Sequence, residues 1–290
     1  MTINTSLSHS LARPGFLSDL NAFWAIVRKD WWNFVRYPSW VIALFIWPII
    51  FPLSYLLTAR ALSGVDGSGL ARFQATTGLS DYIGYIAIGT TIWMWQNIVL
   101  WNVGGTLRNE QLRGTLESNW LSPTWRFAFL LGSSIPQFVS MLIFLTISAL
   151  EFALFLGVRF HGNLGLTLLV ILAAIPSIYG LGFTFASLVI TAKEVNAFVY
   201  LVRGFVMIFC GITFPVTILP TWMQSIANWL PQTYIIHAVR SAALSANSFA
   251  TITPDLKALA LFGVFWLAVG YALFNWMERR ARRTGSIGQY

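Results

Sequence analysis

The sequence predicts an all-α integral membrane protein. The predicted architecture has six transmembrane helices, an amphipathic interfacial helix before the first of them, and a re-entrant helical hairpin before the last. Hydrophobic residues make up 57% of the chain and charged residues 10%, whereas soluble domains carry roughly a quarter charged residues. The charges are also clustered, and they leave six uncharged runs that each reach the ~20 residues a membrane-spanning helix needs.

The six uncharged runs set the order of the membrane elements. They are residues 37–59, 82–107, 127–150, 160–192, 204–239 and 258–277. A soluble enzyme, a nucleic-acid-binding domain and a disordered chain are excluded, because none of these carries so much uninterrupted apolar sequence. The net charge of +8 is then explained by Lys and Arg that orient the spans in the membrane, and it does not indicate a nucleic-acid partner.

The first 36 residues predict a helix that lies on the membrane surface. Residues 1–17 are expected to be a disordered cytoplasmic lead, with Ser18 as a candidate N-cap of an amphipathic helix over 18–36. Apolar residues recur in that stretch with the helical period, and cations lie between them. Such a helix lies in the interface plane with its aromatic side chains buried.

The rest of the chain is predicted to be one six-span domain over 37–278, followed by a basic cytoplasmic tail over 279–290. The expected spans are 39–59, 82–107, 127–157, 164–192, 197–214 and 258–277. Residues 60–81 are predicted to be a polar loop. With both termini inside, most of the 18 Lys and Arg lie on the cytoplasmic side, which is the orientation that positive charge favours.

The run over 204–239 is too long and too interrupted for a single helix. It contains Gly211, Pro215, Pro220 and Pro231, each of which disfavours a continuous helix. We therefore predict a re-entrant hairpin over 215–244 on the extracytoplasmic side, since irregular backbone at membrane depth survives only where protein or water satisfies it. Tyr234 and Arg240 belong to the same segment. Arg240 is expected either to bond exposed carbonyl groups or to contact lipid.

The charged segment over 108–122 predicts a short cytoplasmic helix. On a helix, Glu110, Arg113 and Glu117 share one face, and Leu116 and Trp120 share another. An ordinary solvated loop helix and a docking element for a cytoplasmic partner both remain open. Gly114 permits a close backbone approach, and Pro123 ends the helix. The candidate docking residues are Glu110, Arg113, Gly114, Leu116, Glu117, Trp120 and Pro123.

One helical face of the fifth predicted span carries polar groups. Asn196, Tyr200, Arg203 and Met207 lie along it, and Arg203 is near the membrane midplane. Ionisable residues inside spans are costly and often functional. The stripe is either a path that meets an anionic or polar head group, or a structural feature in which Arg203 pairs internally or reaches the inner interface. Glu151, in the third span, is more consistent with a structural or water contact than with proton coupling.

Motifs for catalysis and metal binding are missing from the sequence. There is no G-x-x-x-x-G-K-[ST] phosphate loop and no G-x-S-x-G motif. The three histidines are scattered and have no cysteine partners, so no metal site is expected. We therefore predict no catalytic residues, no metal and no cofactor bound by this chain.

Two motifs resemble the ABC-2 type transporter permeases. The first is Gly114-Thr115-Leu116-Glu117, then Ser122-Pro123, Arg126 and Leu130-Leu131-Gly132. The second is Gly211, Pro215, Leu219-Pro220, Pro231, Thr233-Tyr234 and Arg240. The resemblance extends over about residues 18–278, and both motifs occur in order on a topology obtained independently of them.

The resemblance implies an ATP-driven exporter whose permease dimerises with itself or a paralogue and binds two copies of a separate ABC ATPase. That subunit would hold ATP and Mg²⁺. Residues 108–122 would be the coupling helix, 18–36 the connecting helix and 215–244 an outer gate, with spans 1, 2 and 5 around the path. Membrane lipids are further partners, nucleic acid is not, and the location is a bacterial or archaeal plasma membrane.

The substrate and the class of transporter are less determined. Residues 27–40 lack the L-G-x-x-W pattern of the polysaccharide and teichoic-acid exporters, which favours a drug, an antibiotic or a lipid-like substrate. An exporter of lipid-linked glycans remains the alternative. An ATP-independent channel or secondary transporter, and an intramembrane enzyme, are more distant alternatives, since neither accounts for the 108–122 segment.

Overall fold

The computed structural model describes residues 16–62, 68–77, 81–122, 125–192, 195–245 and 249–284. Eleven α-helices occupy most of these residues, and a short 3₁₀ turn lies at Val216–Ile218. In chain order the helices are α1 (Phe16–Arg36), α2 (Pro38–Leu62), α3 (Ser68–Thr77), α4 (Tyr82–Leu112), α5 (Leu116–Leu121), α6 (Phe127–Phe155), α7 (Leu164–Ala192), α8 (Val195–Phe209), α9 (Thr221–Ala227), α10 (Pro231–Leu244) and α11 (Phe249–Thr284).

Within the described residues, five helices are long and apolar enough to cross a membrane: α2, α4, α6, α7 and α11. An all-α membrane protein is therefore confirmed, but the count of six spans is not. The predicted fifth span corresponds to α8, which ends at Phe209 rather than near residue 214. Its 15 residues extend ~22 Å, short of the ~30 Å hydrocarbon core. A membrane crossing by α8, and with it the total of six spans, stays a prediction, as does the re-entrant course of 215–244.

The described helices differ from the expected bounds at three further places. α1 begins at Phe16, so Ser18 lies inside the helix and is not its N-cap. The predicted polar loop over 60–81 contains α3. α11 continues to Thr284 instead of ending before residue 279, because arginine is a good helix former and cations are favourable at a helix C-terminus. Most of the predicted lead and the last six residues lie outside the described residues.

Helix α4 is the centre of the bundle, with α2, α6, α7, α8 and α10 packed around it. It begins at an N-cap, Asp81, whose carboxylate accepts a hydrogen bond from the Gly84 backbone nitrogen at 2.8 Å. Along its length Thr90 and Thr91 donate their hydroxyl protons to carbonyls one turn earlier. These two hydroxyl groups of a central helix are thus satisfied without water, as a bilayer requires.

The two ends of the bundle are built differently. At one end, which we call the α5 end, α1 packs along α6, and the Trp125 backbone nitrogen donates to the Asp19 carboxylate at 3.0 Å. Arg126 at the start of α6 also forms an ion pair with Glu278 near the end of α11. The opposite end, which we call the α10 end, contains the connection over 156–163, packed against the last turn of α10.

Candidate functional site

The segment over 108–122 is an elbow and not the single helix that the sequence predicted. α4 continues to Leu112, the chain turns at Gly114, and α5 begins at Leu116. Gly114 has a φ of 71°, a left-handed conformation that is costly for residues with a Cβ atom. Gly114 therefore ends one helix and redirects the chain into the next. We call residues 108–122 the elbow.

Glu110 holds the elbow together from inside. Its side chain is nearly buried, and Lys29 of α1 donates to its Oε1 at 2.8 Å. Thr115 and Asn119 both donate to Oε2, Asn119 at 3.0 Å. One carboxylate therefore ties α1, α4 and α5 together. Glu110 does not share an exposed face with Glu117, because the turn separates the two residues.

The ammonium group of Lys29 has a second carboxylate nearby, that of Asp30 at 3.4 Å. Burial alone lowers the pKa of Lys29, but the hydrogen bond to Glu110 and the charge of Asp30 together raise it above its ordinary value. Burial raises the pKa of Asp30. Lys29 therefore stays charged at physiological pH, and the link between α1 and the elbow is an ion pair.

Two apolar residues of the elbow, Leu116 and Trp120, face the bundle rather than the surroundings. Leu116 and Trp120 are buried, and the Trp120 ring packs against Phe274 of α11, with ring centroids 6.2 Å apart. Arg113, Glu117 and Leu121 are exposed, with Leu121 86% exposed. Of the predicted docking residues, only Arg113, Gly114 and Glu117 thus remain on the surface. Pro123 lies outside the described residues.

Arg203 is placed between two aromatic rings of neighbouring spans. Its guanidinium lies 4.7 Å from the ring centroid of Trp93 on α4 and 5.8 Å from that of Phe51 on α2. The Trp93 indole nitrogen also donates to the Arg203 carbonyl at 3.3 Å. Arg203 has no ion-pair partner among the described residues. Its internal pairing is therefore a cation–π contact, which leaves the positive charge unneutralised.

The other residues of the α8 stripe lie against the same two helices. Tyr200 packs edge-on against Trp101 of α4 at a centroid distance of 5.6 Å, and Tyr55 of α2 donates to the Met207 sulfur at 3.6 Å. The predicted face thus lies beside α2 and α4 over its described side chains. Asn196, the first residue of that stripe, lies in α8, but its side chain is outside the described part of the chain.

Arg240 anchors the segment between α8 and α10 to α4. It donates to three backbone carbonyls, those of Tyr85 at 3.1 Å, Gly211 at 2.8 Å and Ile212 at 2.6 Å. Its guanidinium also lies 3.4 Å from the centroid of the Tyr85 ring. Of the two expectations for Arg240, the contact with exposed carbonyl groups is the one observed. The Gly211 and Ile212 carbonyls lie in the chain just after α8, where helical partners are missing, and the Tyr85 carbonyl lies in the first turn of α4.

The remaining predicted hairpin residues shape the local chain. Pro215 and Pro220 precede the 3₁₀ turn and α9, and Pro231 occupies the first turn of α10, where a missing N–H costs nothing. The Tyr234 hydroxyl donates to the Asn228 carbonyl at 3.0 Å, which closes the turn between the two helices. The helix breaks predicted from the prolines are therefore present, and α9 and α10 are two separate helices.

Sequence reasoning missed two contacts that position these sites. Lys29 is one of several cations in the sequence of α1, and nothing in that sequence marks it as the partner of Glu110. The second is at Gly89, where a Cβ atom would lie 2.2 Å from the Ile212 carbonyl oxygen and 2.3 Å from Arg240 Nη2. A glycine in the middle of an apolar run was the only signal for this close approach.

A model of the family described as "ABC-2 family transporter protein" matches residues 66–272, more than two thirds of the chain. The match includes the elbow, Arg203 with Trp93, and the Arg240 contacts, but it begins after α1 and α2 and so leaves out Lys29 and Phe51. No curated protein matches the chain.

Proposed function

Because this chain belongs to the ABC-2 transporter family and is therefore a membrane transport permease, we propose that it is one half of an ATP-driven exporter. In this proposal two permease copies, identical or paralogous, enclose the path, and two copies of a separate ABC ATPase supply the energy. ATP and Mg²⁺ are bound by the ATPase, since this sequence has no phosphate-binding loop.

The observation that carries this proposal is the construction of the elbow. Its exposed tip, with Arg113, Glu117 and Leu121, projects from the end of a buried span, and Glu110 fixes that tip to α1. A push on the tip is therefore transmitted as a rigid-body movement of α4 and α1 rather than absorbed by a flexible loop. Such rigidity suits a coupling element, and an ordinary solvated loop has no need of it.

The path proposed for the substrate runs beside α8, between it and the spans α2 and α4. Arg203 supplies an uncompensated positive charge there, and Phe51 and Trp93 supply flat apolar surfaces. Such a site fits a lipid-like or drug-like molecule that combines an apolar body with an anionic group. The segment over 215–244, anchored by Arg240, is proposed as the gate at the outer side, with the elbow and both termini in the cytoplasm.

The experiment that tests the proposal is recruitment of an ATPase. The chain is co-expressed with the ABC ATPase subunits of its own genome and purified in mild detergent, and the subunit ratio and ATP hydrolysis are measured. We expect a complex with two copies of each subunit. Glu117→Arg and Leu121→Ser should both abolish recruitment, because these residues form the exposed tip of the elbow.

Leu154→Ser is the matched control, because Leu154 is similarly exposed but lies near the far end of α6. It should recruit the ATPase as well as the unchanged chain does. A folded chain that recruits no ATPase, or variants of the tip that recruit it normally, would overturn the proposal. For the path, Arg203→Gln should abolish the stimulation of ATP hydrolysis by anionic amphiphiles, and Arg203→Lys should retain part of it.

A further inference from the structure

A gap separates the consecutive spans α6 and α7 at the α10 end of the bundle. Both helices pack against α4, and they contact each other farther towards the α5 end, through the ring pairs Phe127–Phe183 and Phe138–Tyr179. A cavity of about 350 Å³ fills the gap, with α4 and α10 behind it. That volume is within the range of ~300–1,000 Å³ that is usual for small-molecule sites. The cavity is separate from the elbow and from Arg203 with its neighbours Phe51 and Trp93.

The cavity wall is apolar, and its hydroxyl groups are already occupied. Six of the apolar lining residues are Ile88, Leu145, Phe152, Ile171, Val239 and Ala243. The three hydroxyls on the wall, those of Thr91, Ser148 and Thr167, donate to carbonyls of their own helices or helix caps at 2.7–3.0 Å. A water molecule needs two to four polar partners, so a hydrocarbon suits this wall better than water does.

The mouth of the cavity opens sideways between α6 and α7. Its exposed residues are Ala149, Phe160 and Leu164. Because both helices are membrane spans, this opening faces the bilayer. Arg159 and His161 flank Phe160, both are exposed, and neither forms an ion pair within the described residues. The mouth thus combines an opening to hydrocarbon with positive charge at the adjoining head-group level.

We propose that this cavity binds one acyl chain of a phospholipid from the leaflet at the α10 end, with the phosphate beside Arg159. The acyl chain fills the space that α6 and α7 leave between them, and it covers the part of α4 that lines the cavity. This site is independent of the proposed exporter function, because it needs neither the ATPase nor a transported substrate.

The test uses phosphatidylglycerol with a diazirine near the end of one acyl chain. The purified chain is placed in nanodiscs that contain this lipid, illuminated, and its adducts are located by peptide mass spectrometry. Adducts on Phe152 and Ile171, inside the cavity, are compared with those on Leu261 and Val264, which are both 70% or more exposed on α11. We expect strong labelling of both pairs.

Ala149→Trp should close the mouth and lower the labelling of the cavity pair by about tenfold relative to the α11 pair, which corresponds to ~1.4 kcal/mol of binding. Ala153→Trp is the matched control, because Ala153 is exposed one turn along α6 but does not line the cavity. It should leave the ratio unchanged. Arg159→Gln should lower the ratio by a smaller factor.

Equal ratios for the unchanged chain and Ala149→Trp would overturn the proposal, as would an absence of adducts on the cavity pair. If Ala149→Trp does not give a monodisperse protein, Thr167→Trp, on the opposite wall, replaces it with the same expected result. An unchanged ratio for Arg159→Gln would overturn the assignment of the phosphate. Failure of ATPase recruitment would leave all of these outcomes as they are.

Discussion

Helices α2 and α4 are both long enough to cross a membrane, yet their surroundings are opposite. Over the most apolar 18 residues of each helix, the mean hydropathy is 2.1 for α2 and 1.2 for α4. Only 17% of these residues are buried in α2, against 89% in α4. In water the more apolar helix would occupy the interior. In a bilayer the surroundings are as apolar as any side chain, so the helix with more polar groups is the one that the protein surrounds.

The side chains of the two helices agree with this rule. α4 buries Thr90, Thr91, Gln96 and Asn97. α2 exposes large apolar side chains along its length; these include Val41, Ile42, Phe45, Ile46, Trp47, Ile50, Leu53 and Leu57. The exposed surface of α2 suits lipid, and under the proposed function it also suits a second permease copy. Four predictions test how far the contrast extends.

The largest effect is expected from truncating a buried indole on α4. Trp95 is fully buried, so Trp95→Ala should leave a large cavity and cost ~3–5 kcal/mol of unfolding free energy. Trp47→Ala on α2 should cost much less, because Trp47 is half-exposed. Thermal and denaturant unfolding in one detergent would compare the two. Equal losses would mean that α2 is as enclosed as α4, for example in a stable dimer.

The second effect concerns the close approach at Gly89. Gly89→Ala should displace Ile212 and Arg240, since the added Cβ cannot fit, and the cost should reach ~1–3 kcal/mol, similar to overpacking a core. Gly204→Ala on α8 is the matched control, because nothing lies within 4 Å of its Cβ position. The measurement is thermal unfolding, with protease cleavage of 210–220 as a local probe. If Gly204→Ala impairs dimer formation but not thermal stability, a second permease copy packs against α8.

Removing the carboxylate that links α1 to the elbow should have an effect no larger than that of Gly89→Ala. Glu110→Ala loses the bonds from Lys29, Thr115 and Asn119, and it should cost ~1–3 kcal/mol. Glu117→Ala should leave stability unchanged, because Glu117 is exposed. Unfolding of both variants is measured together with ATPase recruitment. If Glu110→Ala is as stable as Glu117→Ala, the link between α1 and the elbow does not contribute to stability.

The smallest effect is expected for hydroxyl groups that bond to their own helix. Thr91→Val on α4 should cost ~0.6 kcal/mol, the average for side-chain hydrogen bonds in membranes, and Thr58→Val on α2 should cost no more. Both are nearly isosteric changes. Thermal unfolding under identical conditions measures them. A cost above that of Glu110→Ala would show that Thr91 contributes through contacts other than its own carbonyl bond.

The elbow shows how far the sequence reaches. Its charged residues, glycine and position between two spans are all visible in the sequence, and they were enough to single it out. The sequence could not show that the chain turns at Gly114, because one glycine is compatible with a helix and with a turn. Nor could it show that Glu110 bonds Lys29, 81 residues away, since such a contact depends on how α1 packs along α6.

The sequence by itself determined the membrane class, the position of five spans and the breaks around Pro215, Pro220 and Pro231. These are local properties, because an uncharged run or a proline acts on its own stretch of backbone. Only the tertiary structure decided which span is central, that Arg203 lies on Trp93, and that Arg240 bonds the carbonyls near Gly89. Apolar spans resemble one another in sequence, so their neighbours are set by close packing and by polar contacts between distant segments.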